Sequence, residues 1–185
     1  MPFPLIAHIP AARLSLRPVA ATDLPDLLLV NGDAEVTRFL PYATWTSLDD
    51  GQAWLTRVTA QGADGSSQQL VIERQDDARV IGAVRLFRYD EGSERLEIGY
   101  VLGQPYWRQG FAREAVIAAL GHCFGPLDIR RVEAEVNPAN VASDALLRAV
   151  GFVREGTRRQ RWVTDGVPYD VHAYGLLRDE WNGAP

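Results

Sequence analysis

The chain has 185 residues, 46% of them hydrophobic and 23% charged, a balance that suits one globular domain with a full core. Its net charge of −5 argues against nonspecific nucleic-acid binding, and its one cysteine, Cys123, excludes an internal disulfide and fits a reducing compartment. No stretch approaches the roughly 20 apolar residues of a membrane span, and the start MPFPLIAHIPAARL lacks the basic region and apolar run of a secretory signal, so the expected location is the cytoplasm.

The first strand signal is ARLSLRPV (12–19), where apolar and polar residues alternate. TDLPDLLLVN (22–31) predicts a helix, with Thr22 or Asp23 as its cap and Pro25 tolerated in the first turn. EVTRFLPYATWT (35–46) is aromatic and broken by Pro41. SLDDGQAWLTRV (47–58) opens with Ser47 and Asp50 spaced as a capping box and sets Trp54 and Val58 four apart on one helix face. QGADGSSQQ (61–69) reads as a loop. Three strand-like runs follow, SQQLVIERQ, RVIGAVRLFRYD and RLEIGYVL, parted by turn signals at 76–78 and 91–93, and they predict an antiparallel meander. From about Phe111 to Cys123 the apolar residues repeat at helical spacing. RRVEAEV (130–136) reads as a strand, and NVASDALLRAV (140–150) as a helix ended by Gly151. RRQRWVTDG and PYDVHAYGLL read as a closing hairpin. The order predicts an α/β fold: a mixed, largely antiparallel central sheet of about seven strands with helices on both faces. It forms one domain over 12–182, after an extension of 1–11.

Two stretches carry chemistry. LEIGYVLG, QPYWRQGFA and the following apolar pattern make a strand, a glycine-containing turn and a helix. A helix N-terminus has unpaired N–H groups and a partial positive charge, so it can seat a phosphate, and Gly110 lets the backbone approach closely. Neither the G-x-x-x-x-G-K-[ST] pattern nor G-x-G-x-x-G is present. A glycine at such a junction is also ordinary structure. In NPANVASDALLRAVGF, Asn140 and Ser143 share one helix edge, where an amide and a hydroxyl suit a ligand lying alongside. Asn140 reads equally as a helix cap and Ser143 as an exposed helical serine. No metal-ligand spacing is present, and His122 and Cys123, adjacent in a helix, point about 100° apart and make a poor nucleophile pair.

Together these stretches resemble the GNAT superfamily of acyl-CoA-dependent N-acyltransferases. The Q/R-x-x-G-x-G/A signature is matched by Trp107-Arg108-Gln109-Gly110-Phe111-Ala112, with Trp107 where Gln or Arg is usual. YWRQGFAREA is similar to the Y-W-x-x-G-x-A-x-E-A of Rim-type ribosomal-protein N-terminal acetyltransferases. EVTRFLPY, ERLEIGYVL, NPANVASDALLRAVGF and DGVPYDVHAYGLLRDEW resemble the same branch, so the likeness spans about Arg13 to Trp181. It implies the GNAT fold and transfer of an acetyl group from acetyl-CoA, as co-substrate, to a primary amine. The backbone N–H groups of Arg108, Gln109, Gly110, Phe111, Ala112 and Arg113 are implied to take the pyrophosphate. The backbone of Tyr100, Val101 and Leu102 is implied to pair with the pantetheine arm, an N–H near Val101 or Leu102 facing the thioester oxygen. Asn140 is implied to contact the pantetheine, and Ser143 to sit near the sulfur as an acid for the thiolate.

Glu97 is the candidate base; alternation puts it on one strand face with Gly99 and Val101, and it also reads as an exposed glutamate in a cross-strand pair. Rim-type relatives place a glutamate further along, at a position that falls at about Trp162 here, and Glu155 reads as a structural partner. Direct attack by the neutral fraction of the amine stays open. The likeness implies an acceptor site between the first two helices and the last hairpin, lined by Phe39, Tyr42, Trp45 and Trp162, residues that also read as core. Asp33, Glu35, Asp165 and Asp170 are candidates to attract a cationic amine, and the arginines of 154–161 to meet an acidic acceptor or the adenosine 3′-phosphate. The acceptor is a protein N-terminus or a small molecule, and a homodimer is compatible. The alternative is a non-catalytic CoA-binding or regulatory module.

Overall fold

The computed structural model describes residues 3–164 and 166–183. Its elements follow the expected order. They are β1 (Ile9–Pro10), β2 (Leu14–Pro18), α1 (Leu24–Asn31), α2 (Ala34–Thr37), α3 (Leu48–Ala63), β3 (Ser67–Arg74), β4 (Val80–Asp90) and β5 (Arg95–Leu102). Then come α4 (Phe111–Phe124), β6 (Arg131–Val136), α5 (Val141–Ala149), β7 (Val153–Thr164) and β8 (Val167–Leu177). One eight-stranded sheet results, in the order β1-β2-β3-β4-β5-β6-β8-β7. The expectation of about seven strands missed β1, two residues that carry no alternation to read. The segment expected as an extension adds Phe3, Ile6 and Ile9 to the core, and Gln68 closes on both backbone groups of Ile6, at 2.8 and 2.6 Å.

Each neighbouring pair is antiparallel except β5 and β6, which run parallel. The meander β3-β4-β5 forms as its turn signals predict. A parallel neighbour needs a crossover, and α4 supplies it. The two sheet faces are covered differently. Phe111, Ala115, Val116, Ala119 and Leu120 of α4 and Leu147 of α5 pack with Leu14, Ile72, Leu86, Leu96 and Val132 in the larger core. Leu24 and Leu27 of α1 and Trp54, Leu55 and Val58 of α3 pack with Val71, Val80 and Ala83 on the other face. Among the described residues no helix is long and apolar enough to cross a membrane.

The starts of the helices obey local chemistry. At α3 the Ser47 hydroxyl accepts from the Asp49 N–H at 3.2 Å, and the Asp50 carboxylate accepts from Thr46 and Ser47 N–H groups at 2.7 and 3.2 Å. Gly51, one turn in, is a steric requirement, since a Cβ there would sit 3.0 Å from the Trp45 ring. Substituting Ser47→Ala leaves an N-terminal donor unmet and is expected to cost about 1 kcal/mol, read as a lower urea midpoint at unchanged slope.

Candidate active site

The site grows out of the one parallel pair. β5 and β6 are in register only at Arg95–Arg131, Leu96–Val132 and Glu97–Glu133, although β5 continues to Leu102 and β6 to Val136. Beyond Glu97 the strands part. A cavity of about 440 Å³ occupies the opening, lined by Glu97 to Val101 on one side and Ala134 to Asn137 on the other. Phe39, Tyr42, Arg57, Arg85 and Trp162 close it on the α3 face, and Asn140, Ser143 and Leu147 on the α5 face.

Strand geometry decides which backbone groups face the gap. The Gly103 N–H donates to the Ile81 carbonyl at 2.9 Å. From Glu97 to Leu102 the register with β4 is unbroken, so Gly99 and Val101 also exchange their bonds with β4. The backbone groups of Tyr100 and Leu102 therefore point toward the opening. The Leu102 carbonyl there accepts from the Trp107 indole N–H at 2.7 Å, which ties the following turn to the strand end. Of the residues expected to present backbone, Val101 is turned the other way.

At the carboxyl end of β5 the chain enters α4. Gly110 holds φ +81° just before the first helical residue, and Arg108 holds φ +60°. Among the described residues none accepts a hydrogen bond from the N–H groups of Arg108 to Arg113; the first return bond is Glu114 N–H to Gly110 carbonyl at 3.0 Å. Consecutive free donors with the helix dipole, about half a positive charge, behind them form an anion seat. Arg13 braces this mouth from β2: its backbone N–H and Nε donate to Glu114 at 2.6 and 2.7 Å, its Nη1 donates to the Gln109 carbonyl at 3.1 Å, and its guanidinium lies 4.2 Å from the Phe111 ring. The Gln109 amide bonds back to the Pro105 carbonyl at 2.7 Å, so this side chain shapes the turn.

Two hydroxyls meet across the gap. Tyr100 Oη and Ser143 Oγ are 2.8 Å apart. Burial pushes the Tyr100 phenol up to about 12, so it stays protonated at neutral pH and can donate a hydrogen bond. On the opposite strand face, Glu97 is only 4% exposed and accepts from Arg88 Nη1 at 2.6 Å. Burial raises its pKa above 4.5; Arg88 draws it back, and Glu135 and Glu133 push it up again. Glu135 accepts from the Trp162 indole at 2.6 Å and from Arg161 at 3.2 Å, and pairs closely with Arg158.

Residues 13–153 match the Acetyltransferase (GNAT) domain. The chain belongs to the GNAT acetyltransferase family. It is 31% identical over 171 residues to the uncharacterized N-acetyltransferase p20 of Bacillus licheniformis, covering 92% of this chain and 96% of that one. It is 28% identical over 131 residues to the [ribosomal protein uS5]-alanine N-acetyltransferase of Escherichia coli, covering 70% and 68%. A solved probable acetyltransferase of the GNAT family from Chromobacterium violaceum superposes with TM-score 0.88 at 30% identity, covering 97% and 90%. The likeness to Rim-type enzymes stands, and the protein is an acyl-CoA-dependent N-acetyltransferase.

The other expected residues divide. Phe39, Tyr42 and Trp162 line the cavity of this acetyltransferase; Trp45 does not, being 6% exposed and packed 5.4 Å from Trp54 in the second core. Asn140 both lines the cavity and caps α5, its Oδ1 accepting from the Ser143 N–H at 3.1 Å. Glu155 pairs with Arg131 at 2.6 Å, away from the gap, and Cys123 is fully buried. Of the loop acids, Asp33 caps α2, Asp170 accepts from the Gln160 N–H, and Glu35 lies exposed beside Arg38; none of the three lines the cavity. Asp165 lies outside the described residues. Sequence reading missed Arg13, Glu135 and the Tyr100 side chain. Alternation alone places Tyr100 opposite Glu97, toward α5. The charge balance at Glu97 makes a direct prediction. Its carboxyl carbon should titrate above 4.5 by NMR, and Arg88→Gln should raise that pKa further, because the ion pair that favours the carboxylate is gone.

Proposed function

We propose that the protein moves an acetyl group from acetyl-CoA to a primary amine by direct attack within a ternary complex. The observation that carries this reading is the opened β5–β6 pair. One strand, β5, bears a buried carboxylate on one face and a hydroxyl pair on the other, and leads at its carboxyl end into a mouth of unpaired N–H groups.

In this reading the N–H groups of Arg108 to Arg113 hold the pyrophosphate, with Gly110 allowing close approach and Arg108 and Arg113 adding charge. The pantetheine arm pairs with the gap-facing backbone of Tyr100 and Leu102, and Asn140 contacts it from α5. The Leu102 N–H, directed into the gap, is the donor suited to the thioester oxygen as charge develops there. Glu97 takes the amine proton, directly or through water, and its raised pKa matches that task better than an ordinary carboxylate. The amine nitrogen bonds to the carbonyl carbon, the carbon–sulfur bond breaks, and the thiolate takes a proton from the Ser143–Tyr100 hydroxyl pair. Phe39, Tyr42 and Trp162 wall the acceptor side. The acceptor is a protein N-terminus, the class acted on by the Escherichia coli relative, or a small amine.

Three results test this. Acetyl-CoA at about 100 times its Kd should stabilise the protein by roughly 2.7 kcal/mol, seen as a higher Tm. Gly110→Glu should abolish that shift, since it puts a side chain at φ +81° and a negative charge into the anion seat; a normal shift in a folded variant removes the seat. Glu97→Gln should lower kcat by about 10²-fold or more while acetyl-CoA still binds, and should erase the acid limb of the pH profile, where activity is lost as pH falls through the Glu97 pKa. If acetyl-CoA binds and no amine or peptide releases thiol, the catalytic reading fails and a binding module remains.

A further inference from the structure

We infer that the acceptor is an anionic amine, carrying a carboxylate or phosphate a few bonds from its amino group, and that Arg57 and Arg85 bind this anion. The inference rests on the acetyltransferase reading above and names the substrate class of the same site.

Four charged side chains on the α3 face of the sheet line the cavity: Arg57, Arg85, Glu97 and Glu135. The two acids are already compensated. Arg88 holds Glu97, and Arg158, Arg161 and the Trp162 indole surround Glu135. The two arginines are not. Among the described residues no carboxylate lies within ion-pair distance of Arg57 or Arg85. Arg85 Nη2 donates to neutral acceptors, Gln61 Oε1 at 2.8 Å and Ser67 Oγ at 3.3 Å, and its Nε is buried with no acceptor. Burial and the nearby positive charges of Arg57 and Arg88 disfavour its charged form and outweigh the opposing pull of Glu97 and Tyr42. Buried guanidinium donors are ordinarily matched by an acceptor. A half-buried guanidinium whose buried Nε is unmet, beside an exposed second guanidinium with no carboxylate partner, marks a place that lacks negative charge. It stands against a chain whose net charge is −5, so the positive potential is built locally.

The register sets the spacing. Arg85 is the partner of Gly99, and Phe87 is the partner of Glu97. Arg85 and Glu97 are thus diagonal neighbours on one face, their backbones roughly 7–8 Å apart. An amine delivered to Glu97 places an anion two to five bonds away on Arg85, with Arg57 reaching in from α3. Amino acids and amino-sugar phosphates have this form as free molecules; a protein N-terminus whose first residue is acidic has it too. A polyamine does not: it would bring positive charge onto two unpaired arginines.

The test is thiol release from acetyl-CoA with matched acceptors at fixed ionic strength: β-alanine against its amide, glucosamine 1-phosphate against glucosamine, and a peptide beginning Asp-Ala against one beginning Asn-Ala, with spermidine as the cationic probe. The expected result is kcat/KM about tenfold or more higher for the anionic member of at least one pair. The pair that responds identifies the source, free molecule or protein terminus. Arg57 is exposed on α3, so Arg57→Glu keeps the fold and should reverse the preference; Arg85→Gln, which can still donate to Gln61, should shrink it. Equal or faster transfer to neutral members or spermidine, or an unchanged ratio in Arg57→Glu, overturns the anion site and leaves the acetyltransferase reading standing. Acetyl-CoA binding with no turnover of any amine overturns both.

Discussion

The structure turns on a parallel contact three residues long. Antiparallel strands can follow one another through tight turns, and six of the seven neighbouring pairs in this sheet do without any parallel pairing. β5 and β6 cannot, because a parallel neighbour requires the chain to cross over the sheet before returning. The crossing element, α4, must start at the carboxyl end of β5. Its N-terminus, with free donors and a partial positive charge, is thereby set beside the place where the two strands separate. In open α/β sheets, ligands gather at the carboxyl ends of strands where neighbours diverge. The mouth of unpaired N–H groups and the cavity are two consequences of one topological event.

Charge in the site is handled by two different means. At the mouth of α4 the positive potential comes from peptide groups, which cost no side-chain entropy and stay in place without a counter-ion. At Glu97 a full negative charge sits almost out of contact with water, and one arginine holds it. Burial and the neighbouring carboxylates favour the protonated form, while Arg88 favours the ion, and the net effect raises the pKa of Glu97. Glu135 has three cationic neighbours and an indole donor; it acts as the anchor that holds β7 and Trp162 against the cavity.

Periodicity made the frame readable. The helical spacing from Phe111, the capping box at Ser47 and Asp50, and the turn signals around the meander all rest on neighbours in sequence, and each formed as expected. The strand, glycine and helix of the proposed phosphate seat were readable for the same reason, since they follow one another within about twenty residues. What sequence could not supply was contact at long range. Arg13 and Glu114 are 101 residues apart, and nothing near either announces the pair. Trp45 and Trp162 look alike as aromatic residues in loop-flanked segments, yet one fills a core behind Gly51 and the other walls the cavity. Arg57 and Arg85 were silent in sequence because the signal they carry is a missing partner, which only the surrounding structure can reveal.

In the proposed mechanism, alternation along β5 also separates the two proton tasks. Glu97 and Gly99 face α3; Tyr100, one residue further, faces α5 and meets Ser143. A base that receives the amine proton and an acid that supplies the thiolate proton would quench one another if they touched. With one on each face of a single strand they cannot touch, while the gap beside that strand still lets a thioester reach both. In the proposed reaction the acceptor then meets Glu97 from the side of the arginines, and the thiolate leaves on the side of the hydroxyls. The requirement that falls on sequence is therefore modest: a carboxylate and a tyrosine an odd number of positions apart on a strand whose parallel partner turns away between them. That parity, more than the identity of the intervening residues, is what allows a flat sheet to act on both faces at once.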